Sequence, residues 1–144
     1  MKPLPHKYTA QLSGTSDGYA TVAVAGLPEL RVAAPVDFDG PGDAWSPEHL
    51  LMAAVESCLL FTLRSVAKAS KLEFESLEVS GEGTLNRKDG ATRFTEIVLH
   101  ARLKLAAGAD RDRAIRVLEK SEKACLISAS LSTPIRLEPE IVFA

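Results

Sequence analysis

Two cysteines, Cys58 and Cys125, are the residues of this 144-residue chain best suited to chemistry. Each lies in a stretch predicted to be helical, with its side chain on an inner face, so the two thiols can meet in space although they are distant in sequence. A thiolate that attacks a peroxide becomes a sulfenic acid, and a second thiol within reach condenses with it to a disulfide. The pair therefore indicates two-cysteine peroxidase chemistry, and apolar surroundings of Cys58 favour an apolar peroxide. A small buried hydrophobe is the alternative interpretation of a cysteine taken alone.

Other residue types offer fewer candidate sites. The sequence has no phosphate-binding loop, no dinucleotide glycine fingerprint and no HExxH motif. Its three histidines, His6, His49 and His100, are scattered, and His49 beside Glu48 is more typical of a surface or cap residue than of a base. We therefore expect no cofactor and no metal.

A reactive Cys58 needs help from its surroundings. In the middle of a helix the dipole does not lower the pKa of a thiol, and burial raises it. We therefore expect a nearby cation, most simply an arginine that is oriented by a carboxylate such as Glu48. Arg31 is the nearest arginine in sequence and Arg93 is a second candidate, although Arg31 also fits the surface of a strand.

The spacing of Glu48 and Cys58 bears on assembly. Ten residues separate them, which corresponds to about 15 Å along one straight helix. A site that uses both residues requires a broken helix or two chains. The helix is apolar nearly all round, which favours a homodimer with this helix at its interface.

Composition indicates an ordinary globular protein. Hydrophobic residues make up 46% of the chain and charged residues 25%, and the length suits a single domain over residues 1–144. A net charge of -2 without a basic cluster argues against nucleic acid as a partner. The N-terminus has no apolar signal region, and two cysteines suit a reducing cytoplasm. We also expect no membrane span, because the helix around Cys58 is short and carries Glu48 and Glu56.

The elements that position the cysteines follow from hydrophobic periodicity. Ser46-Pro47 is suited to start the first helix, which is predicted to run to Ala69 or Ser70. Asp110 is predicted to cap a second helix that carries Cys125 near its end. Six strands are predicted at 8–13, 19–25, 30–34, 77–85, 95–105 and 135–143, with a hairpin turn at 88–90. This order predicts an α+β fold with antiparallel sheets packed on a long buried central helix.

Two segments of the chain resemble one protein family. Ser46-Pro47-Glu48-His49-Leu50-Leu51, followed by Ala53-Ala54 and Cys58, resembles the N/S-P-E-x-L … C helix of the OsmC/Ohr family, the osmotically inducible and organic hydroperoxide resistance proteins. Residues 119–128 resemble the second-cysteine segment of that family, with its A-x-x-x-C-P-[VIY]-S pattern. The order of the predicted elements matches over nearly the whole chain.

The resemblance implies an OsmC-like, intertwined homodimer with two sites at its interface. It implies a thiol peroxidase of the oxidative stress response that reduces organic hydroperoxides to alcohols. By motif position, Cys58 would be the peroxidatic cysteine, Cys125 the resolving cysteine, and Glu48 the carboxylate that holds a catalytic arginine. A dithiol, such as a protein-bound dihydrolipoyl group, would recycle the enzyme.

Two positions depart from the family pattern. Leu126 stands where the family usually has proline, and the family positions for the catalytic arginine correspond here to 16–17 and 37–38, where there is none. Three hypotheses follow. The chain is an organic hydroperoxide peroxidase, or an OsmC-fold dimeric binding protein for a small apolar ligand with little or no peroxidase activity, or a protein whose cysteines are inert parts of the core.

Overall fold

The computed structural model describes residues Met1–Ala144, whose contacts divide into two compact units, Met1–Leu51 and Met52–Ala144. The first unit holds strands β1 (Gln11–Gly14), β2 (Ala20–Ala23) and β3 (Leu30–Val32) and the start of helix α1 (Pro47–Ala69). The second holds the rest of α1 and then β4 (Ser76–Lys88), β5 (Ala91–Leu105), α2 (Arg111–Ala124), α3 (Leu126–Ala129) and β6 (Ile135–Phe143). A single domain over the whole chain stays a prediction.

The first unit is an antiparallel meander in the order β1-β2-β3. Each of the three strands overlaps its predicted range and is shorter than predicted. The loop that follows contains a 3-10 turn at Val36–Phe38, and Trp45 returns to pair with Val32. In this unit only Val32 and Ser46 are buried, so the meander has almost no core of its own.

Helix α1 begins and ends where the sequence predicts. Ser46 Oγ accepts a hydrogen bond from the His49 N–H at 3.2 Å, which satisfies one of the free donors of the first turn. The buried row of the helix follows a spacing of four residues and consists of Val55, Leu59, Leu63 and Ala67. The helix is therefore buried along one face rather than around its whole circumference.

The length and composition of α1 do not exclude a membrane span. By these two criteria alone the helix would be able to cross a membrane, so the prediction that it is too short and too charged is wrong. The core helix of a globular unit meets the same criteria, and the buried row of α1 packs in the hydrophobic core of the second unit.

The sheet of the second unit has the order β4-β5-β6. β4 and β5 form the predicted hairpin, and its turn residues Asp89 and Gly90 both have positive φ, as a two-residue hairpin turn requires. The inward side chains of β5 alternate as predicted and are all buried: Ile97, Leu99, Ala101, Leu103 and Leu105.

Strand β6 differs from the expectation of purely antiparallel sheets. It pairs with β5 in parallel, with Leu99 opposite Leu137. Parallel neighbours need a long crossover connection, and α2 and α3 supply it between β5 and β6. The crossover places α2 against the core through Ala114, Val117 and Leu118.

Candidate active site

Cys58 lies in the middle of α1, half-buried between the core row and the exposed side of the helix. Its Sγ is 3.9 Å from the Thr62 hydroxyl, one helical turn further along. The four-residue spacing places these two side chains on the same face.

Cys125 lies between two helices rather than within one. Asp110 caps the start of α2 by accepting a hydrogen bond from the Arg113 N–H at 3.0 Å, as the sequence predicts, but α2 ends at Ala124. Cys125 has extended backbone angles and is both the C-cap of α2 and the N-cap of α3. Its side chain is fully buried, with 0% exposure.

The break at Cys125 brings the two thiols together. Each thiol shifts the pKa of the other, so the Cys58 and Cys125 side chains are neighbours, and both cysteines are free thiols. The backbone N–H groups of Leu126 and Ile127, at the start of α3, also donate to the Cys58 sulfur. The pair is therefore close enough for direct chemistry between the sulfurs.

The two thiols are shifted in opposite directions. Burial raises the pKa of Cys58, but hydrogen bonds from Cys125, the Ile127 N–H, Thr62 and the Leu126 N–H outweigh it, so this pKa lies below the usual value. Burial and the hydrogen bond to Cys58 raise the pKa of Cys125, against smaller opposing effects of neighbouring groups. Cys58 is therefore the first of the two to become a thiolate, and Cys125 remains a thiol that can donate to it.

Hydrogen-bond donors lower the pKa of Cys58 where the sequence predicted a cation. The Arg93 guanidinium donates to the Ser132 hydroxyl at 3.0 Å. In the first unit, Arg31 lies over the Tyr19 ring at 4.4 Å from its centroid and donates to the Asp43 carbonyl at 3.1 Å. A role of either arginine at Cys58 stays a prediction.

Ser128 and Glu122 lie beside Cys125 and were not predicted as site residues. The Ser128 side chain interacts with both the Cys125 thiol and the Glu122 carboxyl, yet its Oγ is buried and completes no hydrogen bond of good geometry. Burial raises the pKa of Glu122, and Ser128 and Lys123 oppose this only in part. The three-residue spacing of Glu122, Cys125 and Ser128 was the available signal in the sequence.

Glu48 lies in the first turn of α1 and is half-buried. Its Oε2 atom is buried and has no hydrogen-bond partner in the chain. The neighbouring His49 Nδ1 is 2.7 Å from Ser46 Oγ, so the imidazole belongs to the helix cap. No group of three or more histidine, cysteine, aspartate or glutamate side chains is arranged to hold a metal ion.

Apolar side chains flank the thiols on the exposed side. Phe61 follows Cys58 by three residues on α1 and is 58% exposed, while Leu126 is 75% and Ile127 37% exposed. Leu126 is the residue that stands where the family pattern usually has proline. These three side chains provide an apolar surface next to the Cys58 sulfur.

Comparison with known proteins gives one family match and many structural matches. Residues 40–140 match the family described as OsmC-like protein, a range that includes both cysteines. Over 112 residues the chain is 29% identical to the uncharacterized protein YmaD of Bacillus subtilis. This match covers 76% of this chain and 75% of that protein.

Two solved structures illustrate the shared fold. An OsmC-like protein of unknown function from Vibrio cholerae matches with a TM-score of 0.86 and 18% identity, over 94% of this chain and 100% of that one. An organic hydroperoxide resistance protein from Elizabethkingia anophelis, with crystallant-derived thiocyanate bound, matches with a TM-score of 0.76 and 22% identity, over 98% and 100%. At these identities the likeness shows the fold.

Proposed function

This chain belongs to the OsmC-like protein family, and from that premise we propose that it is a thiol-dependent peroxidase that reduces organic hydroperoxides. The proposal rests on one observation, the contact between a Cys58 thiol of lowered pKa and a buried Cys125 thiol of raised pKa. The names of some structural relatives, which are called organic hydroperoxide resistance proteins, support the same class of activity.

The two thiols take successive roles in the proposed reaction. The Cys58 thiolate attacks the terminal oxygen of the hydroperoxide, so an S–O bond forms, the O–O bond breaks, and the alkoxide leaves as the alcohol after gaining a proton. Cys58 is then a sulfenic acid. Cys125 attacks this sulfur, an S–S bond forms, and the hydroxyl group leaves as water.

A dithiol returns the disulfide to the reduced pair by two exchange steps. A protein-bound dihydrolipoyl group is the reductant we propose, in a reducing cytoplasm. Because Cys58 has the lower pKa, it is the better leaving thiolate, which favours attack of the reductant on the Cys125 sulfur. Cys58 is the more exposed sulfur, which favours attack there instead.

The substrate class follows from the surface beside the thiols. Phe61, Leu126 and Ile127 present apolar side chains to solvent next to Cys58. Burying such surface against the organic group of a hydroperoxide is favourable, and hydrogen peroxide has no such group. We therefore propose that alkyl or aryl hydroperoxides are preferred.

We further propose that the active form is a homodimer in which Glu48 holds an arginine of the active site. Two observations support this: Glu48 Oε2 is buried without a partner, and the meander of the first unit buries almost nothing. A carboxylate in such a position is costly unless a cation pairs with it.

Counting thiols during a single oxidation tests the proposal. One equivalent of cumene hydroperoxide is added to the reduced protein, with hydrogen peroxide in parallel. We expect rapid loss of both thiols, faster with cumene hydroperoxide, and no comparable loss in Cys58→Ser. Equal thiol loss in the wild type and Cys58→Ser, or no rapid loss in the wild type, would contradict the proposal. In the latter case, a binding protein for an apolar ligand becomes the better hypothesis.

A further inference from the structure

Cys125 must lose a proton when it attacks Cys58, and bulk water does not reach its sulfur. Its side chain is 0% exposed, and burial and the neighbouring Cys58 raise its pKa. Near neutral pH it is therefore a thiol, which is a much weaker nucleophile than a thiolate. A protein group has to accept the proton during the attack.

Ser128 and Glu122 are the polar side chains placed to do this. Glu122 lies in the last turn of α2, three residues before Cys125, and Ser128 lies in α3, three residues after it. The Cys125 N–H donates to the Glu122 carbonyl at 3.1 Å, which fixes this part of the chain. The Ser128 side chain interacts with both the Cys125 thiol and the Glu122 carboxyl.

The Ser128 hydroxyl is not used for structure. Its Oγ is buried and completes no hydrogen bond of good geometry, whereas Ser121 and Ser130 each donate to a backbone carbonyl at 2.7 Å. Buried polar groups are almost always paired, so an unpaired hydroxyl beside a reactive thiol calls for a functional explanation.

We propose that Ser128 transfers the Cys125 proton to the Glu122 carboxylate as Cys125 attacks the sulfur of Cys58. Ser128 lies beside the reacting sulfur, and Glu122 acts through Ser128 as a positioning residue and final base. A hydroxyl can accept one proton while it donates another, so it can connect a thiol to a carboxylate. Glu122 is half-buried and can pass the proton on to solvent.

In the proposed catalytic cycle the bonds and protons balance. The Cys125–Cys58 S–S bond forms, the S–O bond of the sulfenic acid breaks, and the departing hydroxide takes a proton to become water. Glu122 gains the Cys125 proton through Ser128 and releases it, so the carboxylate is restored. This inference rests on the proposed function for its place in turnover, but any good leaving group on Cys58 allows the transfer itself to be tested.

The symmetrical disulfide of two thionitrobenzoate groups is a thiol reagent that supplies such a leaving group. Its reaction with Cys58 gives a mixed disulfide and releases one coloured thiolate, and attack by Cys125 then releases a second. The second leaving group departs as a stable thiolate and needs no proton, so the rate of the second release reports the deprotonation and attack of Cys125 alone.

We expect Ser128→Ala and Glu122→Gln each to slow the second release by about 100-fold or more, because general-base assistance typically contributes about 10²- to 10⁴-fold. The first release should be unchanged, which also verifies that the variants are folded. The double variant should be no slower than either single variant, because the two residues act along one path. Ser130→Ala at the C-cap of α3 and Glu119→Gln on α2 are matched controls at exposed positions and should behave as wild type.

The pH profile separates proton transfer from a structural role. Once Cys58 carries thionitrobenzoate, Glu122 and Cys125 are the two groups on the proposed path whose pKa values are raised by burial. In the wild type the second release should slow as the pH falls through the raised pKa of Glu122. This limb should be absent in Glu122→Gln.

An unchanged rate and pH profile of the second release in both variants would overturn the proposed proton transfer through Ser128 to Glu122. That outcome is distinct from a failure of the proposed function. A wild type that releases both thiolates normally but does not react with cumene hydroperoxide would contradict the proposed peroxidase function and leave the proposed proton transfer intact.

Discussion

At the scale of single residues, the acidity of Cys58 depends on which donors face its sulfur. The Cys125 thiol has the largest lowering effect on this pKa, ahead of the Ile127 N–H and the Thr62 hydroxyl. Each donor favours the charged form of the sulfur because it pairs with the thiolate more strongly than with the thiol. Cys125 therefore makes Cys58 more acidic.

Two substitutions of Cys125 test this coupling. Cys125→Ser keeps a hydrogen-bond donor beside Cys58, whereas Cys125→Ala removes it. We expect the midpoint of the pH dependence of Cys58 alkylation to lie higher in Cys125→Ala than in Cys125→Ser, because the thiolate loses a donor. The rate of iodoacetamide modification, followed by mass spectrometry from pH 6 to 10, measures both midpoints. Coincident midpoints would show that Cys125 does not activate Cys58.

Only part of this site could be predicted from the sequence. The cysteines are the least ambiguous nucleophiles in the chain, and the spacing of Cys58 and Thr62 indicates a shared helix face. The Leu126 and Ile127 donors are backbone groups, which carry no side-chain signature. The predicted cation followed from treating Cys58 as isolated in mid-helix, whereas the start of helix α3 approaches its sulfur.

At the scale of elements, α1 is fixed to strand β4 by one polar contact. Glu56 Oε1 accepts a hydrogen bond from the Gly81 N–H at 2.7 Å, and β4 is an edge strand. A Cβ at Gly81 would lie 2.5 Å from the same oxygen. A side chain at this position would push the end of the Glu56 side chain away and break this hydrogen bond, which positions the helix turn that precedes Cys58.

We expect Gly81→Ala to lower the free energy of unfolding by about 1–3 kcal/mol, because the Gly81 N–H loses its charged acceptor. Urea unfolding measures the change. In the background of Glu56→Ala, which removes both the clash and the acceptor, the same substitution should cost much less. Equal costs in the two backgrounds would mean that Glu56 does not impose the glycine.

Element boundaries set by local chemistry were predicted better than strand pairing. The Ser46 and Asp110 caps and the hairpin turn at 88–90 depend on a few adjacent residues, and the structure confirms all three. The direction of β6 depends instead on how far the chain travels through α2 and α3 before it returns. The break at Cys125 was missed because the apolar pattern continues through it into α3.

At the scale of the whole molecule, the distribution of burial differs between the two units. The second unit has a continuous core of α1, α2 and β5 side chains, while Val32 and Ser46 alone are buried in the first. Small sheets need an apolar face packed against another element to be stable. The sequence pattern predicted the meander and the apolar helix, and the homodimer that the apolar helix favours stays a prediction.

The proposed homodimer gives the final prediction. Phe61 is a large apolar side chain on the exposed side of α1, so Phe61→Glu should introduce a charge into an interface built on this helix. We expect sedimentation equilibrium to give about twice the chain mass of 15.4 kDa for the wild type and a mass near one chain for the variant. Leu85→Glu, on the β4–β5 hairpin, is the control for adding a charge and should remain dimeric. A monomeric wild type would contradict the dimer, whereas a dimeric Phe61→Glu would place its interface away from this side of α1, because an unpaired buried carboxylate would not be tolerated there.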